Sequence, residues 1–280
     1  MLEVKPVTGF IGAEITDVIL RESIASELAD NLRSALDKWH VIFIRNQFLD
    51  IPQQKQLTRV FGSIVQLPYI KSMDNDPDVI GVLKEAQKSC GSVFGGEWHA
   101  DLSFLEQPPS GSVLNAIEVP DVGGDTVWAD QATAYDTLPP ELKSLIENRE
   151  AIHVGKPYGV KFASPKEVRS SRSIQMTRDD PEADKEMRHP TVYTHPRTGR
   201  RALNMNPTYT SRLSGMTEAE SSPVLDAIYK HSTKPDLCCR FRWSAGDVAV
   251  WDNCMTMHHA VNDCDGQRRL LYRTAYREDK

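Results

Sequence analysis

Trp98-His99-Ala100-Asp101-Leu102-Ser103-Phe104 is the stretch on which the reading of this chain turns. In an extended chain, residues i and i+2 project from one face, so His99 and Asp101 would aim an imidazole and a carboxylate at one point. A third ligand has to come from elsewhere. Val248-Ala249-Val250-Trp251-Asp252-Asn253 reads as a buried strand entering a polar turn, and Cys254-Met255-Thr256-Met257-His258-His259-Ala260 follows it. Neighbours on a strand face opposite ways, so one of His258 and His259 can join the pair. Strand physics alone leaves open which.

Working outward, Val4 to Leu20 reads as short strands with turns at Gly9 and Gly12. Ile24, Leu28, Leu32, Leu36 and Trp39 recur at helical spacing and predict an amphipathic helix over 23–39. Val41-Ile42-Phe43-Ile44 is a buried strand, and Pro52 suits the first turn of a helix reaching Phe61. Beyond residue 76 short strands dominate: Val79–Leu83, Ser112–Glu118, Gly124–Trp128, Thr191–Thr194, Leu237–Trp243, Asp247–Trp251 and Arg268–Tyr276. Helical stretches interrupt at 131–148 and 217–232. Many short strands with few helices predict a mainly β fold, a barrel or double sheet with helices packed outside. No linker divides the chain, so residues 1–280 are expected to form one domain. Residues 164–188 are rich in Lys, Arg, Ser, Asp and Glu, which suits either a lid over a site or a surface loop.

Composition limits the function classes. With 280 residues, 40% hydrophobic and 26% charged, the chain reads as a soluble globular protein with ample core. A net charge of −6 and no basic stripe argue against a nucleic-acid partner. No apolar run approaches the roughly 20 residues of a membrane-spanning helix, and Met1 to Pro6 lack the apolar core of a signal peptide. The five cysteines (Cys90, Cys238, Cys239, Cys254, Cys264) are odd in number and show no CxxC spacing. They predict free thiols and a cytoplasmic location, where iron would also stay ferrous. Homo-oligomerisation stays open.

Two further segments carry chemistry. In Gln267-Arg268-Arg269-Leu270-Leu271-Tyr272-Arg273-Thr274-Ala275, Arg269, Leu271 and Arg273 share one strand face. That face lies either in solvent or in a site where the guanidinium forks hold carboxylates, because buried arginines need anions. Gly123-Gly124-Asp125-Thr126-Val127-Trp128 is a glycine turn into a strand, and the Thr126 hydroxyl could share an anion with an arginine. His99, Asp101 and a distal histidine would make the 2-His-1-carboxylate set of non-haem Fe(II) oxygenases, with coordination positions left open.

Together WHADLSF (98–104), GGDTVWAD (123–130), WDNCMTMHHAVND (251–263) and QRRLLYRTAYR (267–277) resemble the taurine dioxygenase/TfdA family of Fe(II)- and 2-oxoglutarate-dependent dioxygenases. Weaker likeness includes GAEI near residue 12, Phe61-Gly62, and Thr194-His195-Pro196 with Gly199. The resemblance implies a double-stranded β-helix (jelly-roll) core, with His99, Asp101 and His258 as ligands of Fe(2+). It also implies that Arg273 grips the far carboxylate of 2-oxoglutarate with help from Thr126, while Arg269 lies near the other carboxylate. The activity so implied consumes O2 and 2-oxoglutarate, releases succinate and CO2, and hydroxylates a small organic acid. A sulfonate, sulfate ester or aryloxyalkanoate would then fragment at the hydroxylated carbon.

Taurine-specific members are expected to carry a histidine and an asparagine at places that here correspond to Leu67 and Gly95. A pocket of Leu67, Tyr69, Gly95, Phe104 and Tyr209 would favour a bulkier, more apolar acid. The remaining histidines (His40, His153, His189, His195, His231) and Trp98, Trp128, Trp243 and Trp251 are expected to be structural. A cupin-like sensor or storage protein would need no carboxylate clamp, and a zinc hydrolase would leave both arginines unexplained.

Overall fold

The computed structural model describes residues 2–87, 93–161 and 173–278. In chain order come β1 (Glu3–Pro6), β2 (Ala13–Thr16), α1 (Ser26–Trp39), β3 (Val41–Ile44), α2 (Ile51–Phe61), β4 (Ser63–Val65) and β5 (Ile80–Lys84). There follow β6 (Gly111–Glu118), β7 (Thr126–Asp130), α3 (Gln131–Asp136), α4 (Pro140–Ile146) and β8 (Glu150–His153). Next are β9 (Met187–Pro190), β10 (Val192–Thr194), β11 (Arg201–Leu203), β12 (Thr210–Leu213) and α5 (Glu218–Ser232). The last strands are β13 (Cys238–Phe241), β14 (Val248–Asp252), β15 (Thr256–Ala260) and β16 (Arg269–Arg277).

Two sheets face each other in a jelly roll. The large one runs β1-β2-β3-β14-β6-β16-β4, with β5 also paired to β16, and the small one runs β13-β7-β15. Phe43, Leu114, Trp251 and Leu271 from the large sheet meet Trp128 and Phe241 from the small one. Phe43 stacks on Phe241 with centroids 4.1 Å apart and meets Trp128 edge-on at 5.4 Å. This aromatic layer sets the spacing between the sheets and hence the room for a site between them.

On the outer face of the large sheet, Leu32 and Leu36 of α1 and Leu57 and Phe61 of α2 cover Ile42, Ile44, Val113 and Val250. The start of α2 is fixed by a capping box between Asp50 and Gln53, with Pro52 in the first turn. The helix expected over 131–148 is two helices, α3 and α4, because Pro139-Pro140 cannot continue the first. No helix among the described residues is long and apolar enough to cross a membrane. Cys238, Cys239, Cys254 and Cys264 are free thiols, while Cys90 lies outside the described residues.

The stretch 98–104 departs from the strand expected of it. His99 makes one isolated bridge, to His258, and the chain turns at Asp101–Phe104 with Leu102 at φ 46°. Its backbone is held by a neighbouring turn in place of a continuous ladder, as the site geometry shows.

Candidate active site

The small sheet presents the distal histidine. On β15, His258 lies opposite Trp128 of β7 and is buried, with the Trp251 ring 4.9 Å away. His259 points to the other side, edge-on to Trp98 at 4.4 Å. The choice left open by strand alternation is therefore made by burial: His258 meets His99 and Asp101, and His259 does not. On the free edge of β15, His99 N–H donates to His258 O at 3.0 Å and His258 N–H to His99 O at 2.8 Å.

The three candidate donor atoms converge. Asp101 Oδ1 is 3.5 Å from His99 Nε2 and 3.7 Å from His258 Nε2. Bonds of about 2.0–2.2 Å to one ion at right angles put donor atoms about 3 Å apart, so small side-chain shifts suffice to ligate. His99 Nδ1 lies 2.7 Å from Glu97 O, which requires the proton on Nδ1 and leaves the Nε2 lone pair facing inward. Burial, reinforced by His99, holds His258 well below the usual imidazole range and so neutral. Burial pushes the Asp101 carboxyl up, but the Arg273 guanidinium outweighs it and keeps it ionised. Two imidazole Nε2 atoms and one ionised carboxylate fit a divalent metal.

Both arginines of β16 lie on its buried face. The structure corrects their expected partners. Thr126 Oγ1 accepts from Arg269 Nη2 at 3.4 Å, and Arg269 Nε donates to Gly124 O at 3.0 Å. Arg273 pairs with Asp101 and donates to Ser112 Oγ at 3.1 Å. Four strand residues span about 13 Å, so only one arginine can reach the start of β7. The glycine turn makes that approach possible: Gly124 has φ +70°, and a Cβ there would stand 3.1 Å from Arg269 Cδ. Among the described residues no carboxylate lies within ion-pair distance of Arg269; Asp125, whose charge it feels, pairs with Arg240 at 2.6 Å. Burial lowers the Arg269 pKa to about 10.

A cavity of about 450 Å³ opens over His99 and Asp101. Of the residues expected to touch substrate, Gly95 and Tyr209 line it. Leu67 instead borders a separate small pocket beside Arg273. Tyr69 and Phe104 stand behind the wall, Tyr69 stacked on Tyr158 at 5.1 Å and Phe104 against Tyr209 at 5.1 Å. Ile70, Leu102, Tyr158 and Met176 also line it, beside the polar Glu97, Lys156 and Thr208, and no local motif marks them because loop packing alone assembles them. Gly95 also borders the narrow pocket of Arg269, Thr126 and His258, so the two spaces meet beside His99.

Of the segment 164–188, residues 164–172 lie outside the described residues. The rest is bonded to the fold at several points. Lys71 N–H donates to Gln175 O at 3.0 Å, Thr177 N–H donates to Tyr69 O at 2.8 Å, and β9 joins β8. The few apolar residues in that polar stretch are what anchor it, Ile174 and Ala183 being buried.

The other histidines find partners within the fold: His40 with Asp130, His153 with Ser103, His189 with Leu105 O, His195 with Asp252 and His231 with Thr137. Trp128, Trp243 and Trp251 pack between the sheets, whereas Trp98 is half-buried on the outer face against His259.

Comparisons with known proteins add independent findings. The model of the family described as taurine catabolism dioxygenase TauD, TfdA family matches residues 3–275. An alkylsulfatase of Acinetobacter baylyi is 31% identical, covering 97% of this chain and 84% of its own. An alpha-ketoglutarate-dependent sulfate ester dioxygenase of Pseudomonas putida is 33% identical over 97% of this chain and 88% of its own. The crystal structure of a taurine dioxygenase from Burkholderia xenovorans superposes with a TM-score of 0.81 at 30% identity, covering 99% of this chain and 91% of that one.

Proposed function

This chain belongs to the taurine catabolism dioxygenase TauD, TfdA family and is an alpha-ketoglutarate-dependent dioxygenase, a premise from which we propose its residue roles and substrate. His99, Asp101 and His258 hold Fe(2+). Arg269 and Thr126 take the distal carboxylate of 2-oxoglutarate (alpha-ketoglutarate), and Arg273 serves the metal side. The observation that carries this reading is the buried Arg269 guanidinium, which has no carboxylate partner among the described residues and borders a pocket shared with His99 and His258. A buried cation in that state is expensive unless an anion joins it. A dicarboxylate cosubstrate would supply that anion. A sensor or storage protein would gain nothing from such a clamp.

When bound, the iron supplies a redox-active Lewis acid that couples decarboxylation of the cosubstrate to hydroxylation of a C–H bond by O2. The chain supplies the rest. The Glu97 carbonyl orients His99, and Arg273 keeps Asp101 ionised. Ile70, Leu102 and Met176 exclude water from the reacting space, while Gly95 leaves room beside His99.

The substrate we propose is a small organic acid with an apolar body, foremost an alkyl sulfate ester. The cavity is larger than taurine needs, its wall joins apolar side chains (Ile70, Leu102, Met176) to a cationic one (Lys156), and two of the relatives are named for sulfate esters. Hydroxylation of the carbon bearing the sulfate gives an unstable hemiacetal sulfate, which breaks into aldehyde and inorganic sulfate. One 2-oxoglutarate and one O2 are consumed, with succinate and CO2 formed. Residues 1–280 act as one catalytic domain on this small molecule in the cytoplasm, without nucleic acid or membrane. The test is Fe(2+)-dependent succinate release with alkyl sulfates, alkylsulfonates, aryloxyacetates and taurine. A C6–C12 alkyl sulfate with the highest kcat/KM and stoichiometric sulfate release is expected; taurine in first place would overturn the substrate assignment.

A further inference from the structure

Asp101 is the one member of the candidate metal triad that stands on a turn outside any strand pairing. His99 is tied to His258 by two reciprocal backbone hydrogen bonds. In a continued antiparallel ladder, the next such pair would fall two residues on and would hold Asp101 in the same way. The chain turns away before that happens, and a side chain takes over. Asn253 Oδ1 accepts from Asp101 N–H at 2.6 Å, and Asn253 Nδ2 donates to Asp101 O at 3.0 Å. Both backbone groups of Asp101 are thus satisfied by one buried amide, as a partner strand would satisfy them.

The same amide does more. Its second N–H donates to Pro109 O at 3.0 Å, and the Asn253 backbone N–H donates to Ser110 O at 2.8 Å. Asn253 therefore pins both ends of the excursion from Asp101 to Ser110. Without the pin, Leu102 at φ 46° would be free to leave a conformation that L-residues avoid, and the Asp101 side chain would swing with it. Asn253 is itself fixed, since the preceding Asp252 Oδ1 accepts from Cys254 N–H at 2.8 Å and Met255 N–H at 3.1 Å.

We propose that Asn253 is a positioning residue for the metal carboxylate, a side-chain substitute for the missing strand that sets where Asp101 points. The inference rests on the assignment of His99, Asp101 and His258 as metal ligands.

The probe is Mn(II), titrated into wild type, Asn253→Ala, Asn253→Asp and Leu225→Ala, with thermal unfolding of each apo protein measured beside it. Leu225 packs in the cluster beneath α5, and its truncation lowers stability without touching the site. Asn253→Asp keeps the acceptor for Asp101 N–H and replaces the two donors, so it reports if the alanine variant does not fold. Expected is a loss of Mn(II) affinity of about 10–100-fold in both Asn253 variants, with Leu225→Ala binding as wild type does. Wild-type affinity in the Asn253 variants, or an equal loss in Leu225→Ala, overturns the inference. Wild type that neither binds Mn(II) nor releases succinate from 2-oxoglutarate with Fe(II) and O2 overturns the ligand assignment itself, and the inference with it.

Discussion

Two clusters, His99–Asp101–His258 and His195–Asp252–Glu278, bring an imidazole and carboxylates or a second imidazole to metal-like spacing, yet they are chemically unlike. In the second, His195 Nδ1 accepts backbone N–H groups from Arg197 and Thr198, so its proton sits on Nε2 and is donated to Asp252 at 3.1 Å. The carboxylate of Asp252 is further occupied by the 254–255 backbone, and Glu278 pairs with Arg197 at 2.5 Å. The ring proton and lone pair of His195 are both spent inside the fold, and both carboxylates have partners there. In the first cluster the proton of His99 is turned outward to Glu97 O, and two Nε2 lone pairs face a carboxylate. Spacing nominates both clusters, and proton placement separates the open one from the closed one. The arginines repeat the contrast: Arg273 is paired with Asp101, while Arg269 bonds to neutral partners, Gly124 O and Thr126 Oγ1.

The largest effect should follow from emptying the open cluster. His99→Ala or His258→Ala should cut Mn(II) affinity and succinate formation by at least about 100-fold, beyond the usual loss from an outer-sphere residue. His259→Ala, on the opposite strand face, should bind as wild type does. Metal lost in His259→Ala and kept in His258→Ala would reverse the comparison. Next in size is Arg269→Lys, which keeps the charge and loses the fork. Charged hydrogen bonds of about 1.5–3 kcal/mol should raise the KM for 2-oxoglutarate by about 10–100-fold, read from initial rates. Thr126→Val should raise it less, because the bond to Thr126 is long at 3.4 Å.

Smaller effects probe groups outside the open cluster. Burial, with His189 adding to it, pushes His153 down to about 3. The unfolded chain binds a proton near pH 6.5 that the folded state refuses. Stability from this site is therefore complete above pH 6.5 and falls as the pH drops towards 3, by about 2 kcal/mol at pH 5. Urea midpoints at pH 7 and pH 5 should show this, and His153→Asn should flatten the difference. The smallest effect is expected from the closed cluster: His195→Ala should cost about 1–2 kcal/mol of stability and leave Mn(II) affinity unchanged. Loss of metal on the scale of His99→Ala would show that the clusters are not distinct.

Much of the molecule was legible in local pattern. The apolar spacing of residues 24–39 and the run Val41–Ile44 are one-dimensional signals, and α1 and β3 follow them. Strand alternation placed Arg269, Leu271 and Arg273 on one face, which is buried. The motif order nominated the triad. Where the pattern misled, a non-local partner was in control. His99-x-Asp101 suggested a strand, but the conformation belongs to a turn held by Asn253, 152 residues away. Residues 164–188 read as either a lid or a surface loop, and two backbone bonds to the Tyr69 region with a pairing to β8 tie the described part, 173–188, to the rest of the chain.

What the sequence by itself determined is the chemistry on offer: two imidazoles and a carboxylate in the right order, two arginines on one strand face, and a glycine turn before Thr126. Those depend on residue type and on periods of two or a few residues along one segment. Only the tertiary structure decided which histidine turns inward, which arginine meets Thr126, and which loops wall the cavity. Each of these depends on a distance between segments, here β7 against β16 and β15 against the 98–104 turn, and sheet packing sets such distances. Leu67, Tyr69 and Phe104 show the limit plainly: Leu67 and Phe104 are buried, and Tyr69 half-buried, in the cluster that Tyr158 and Tyr209 share, and the path of the chain between loops leaves them behind the wall.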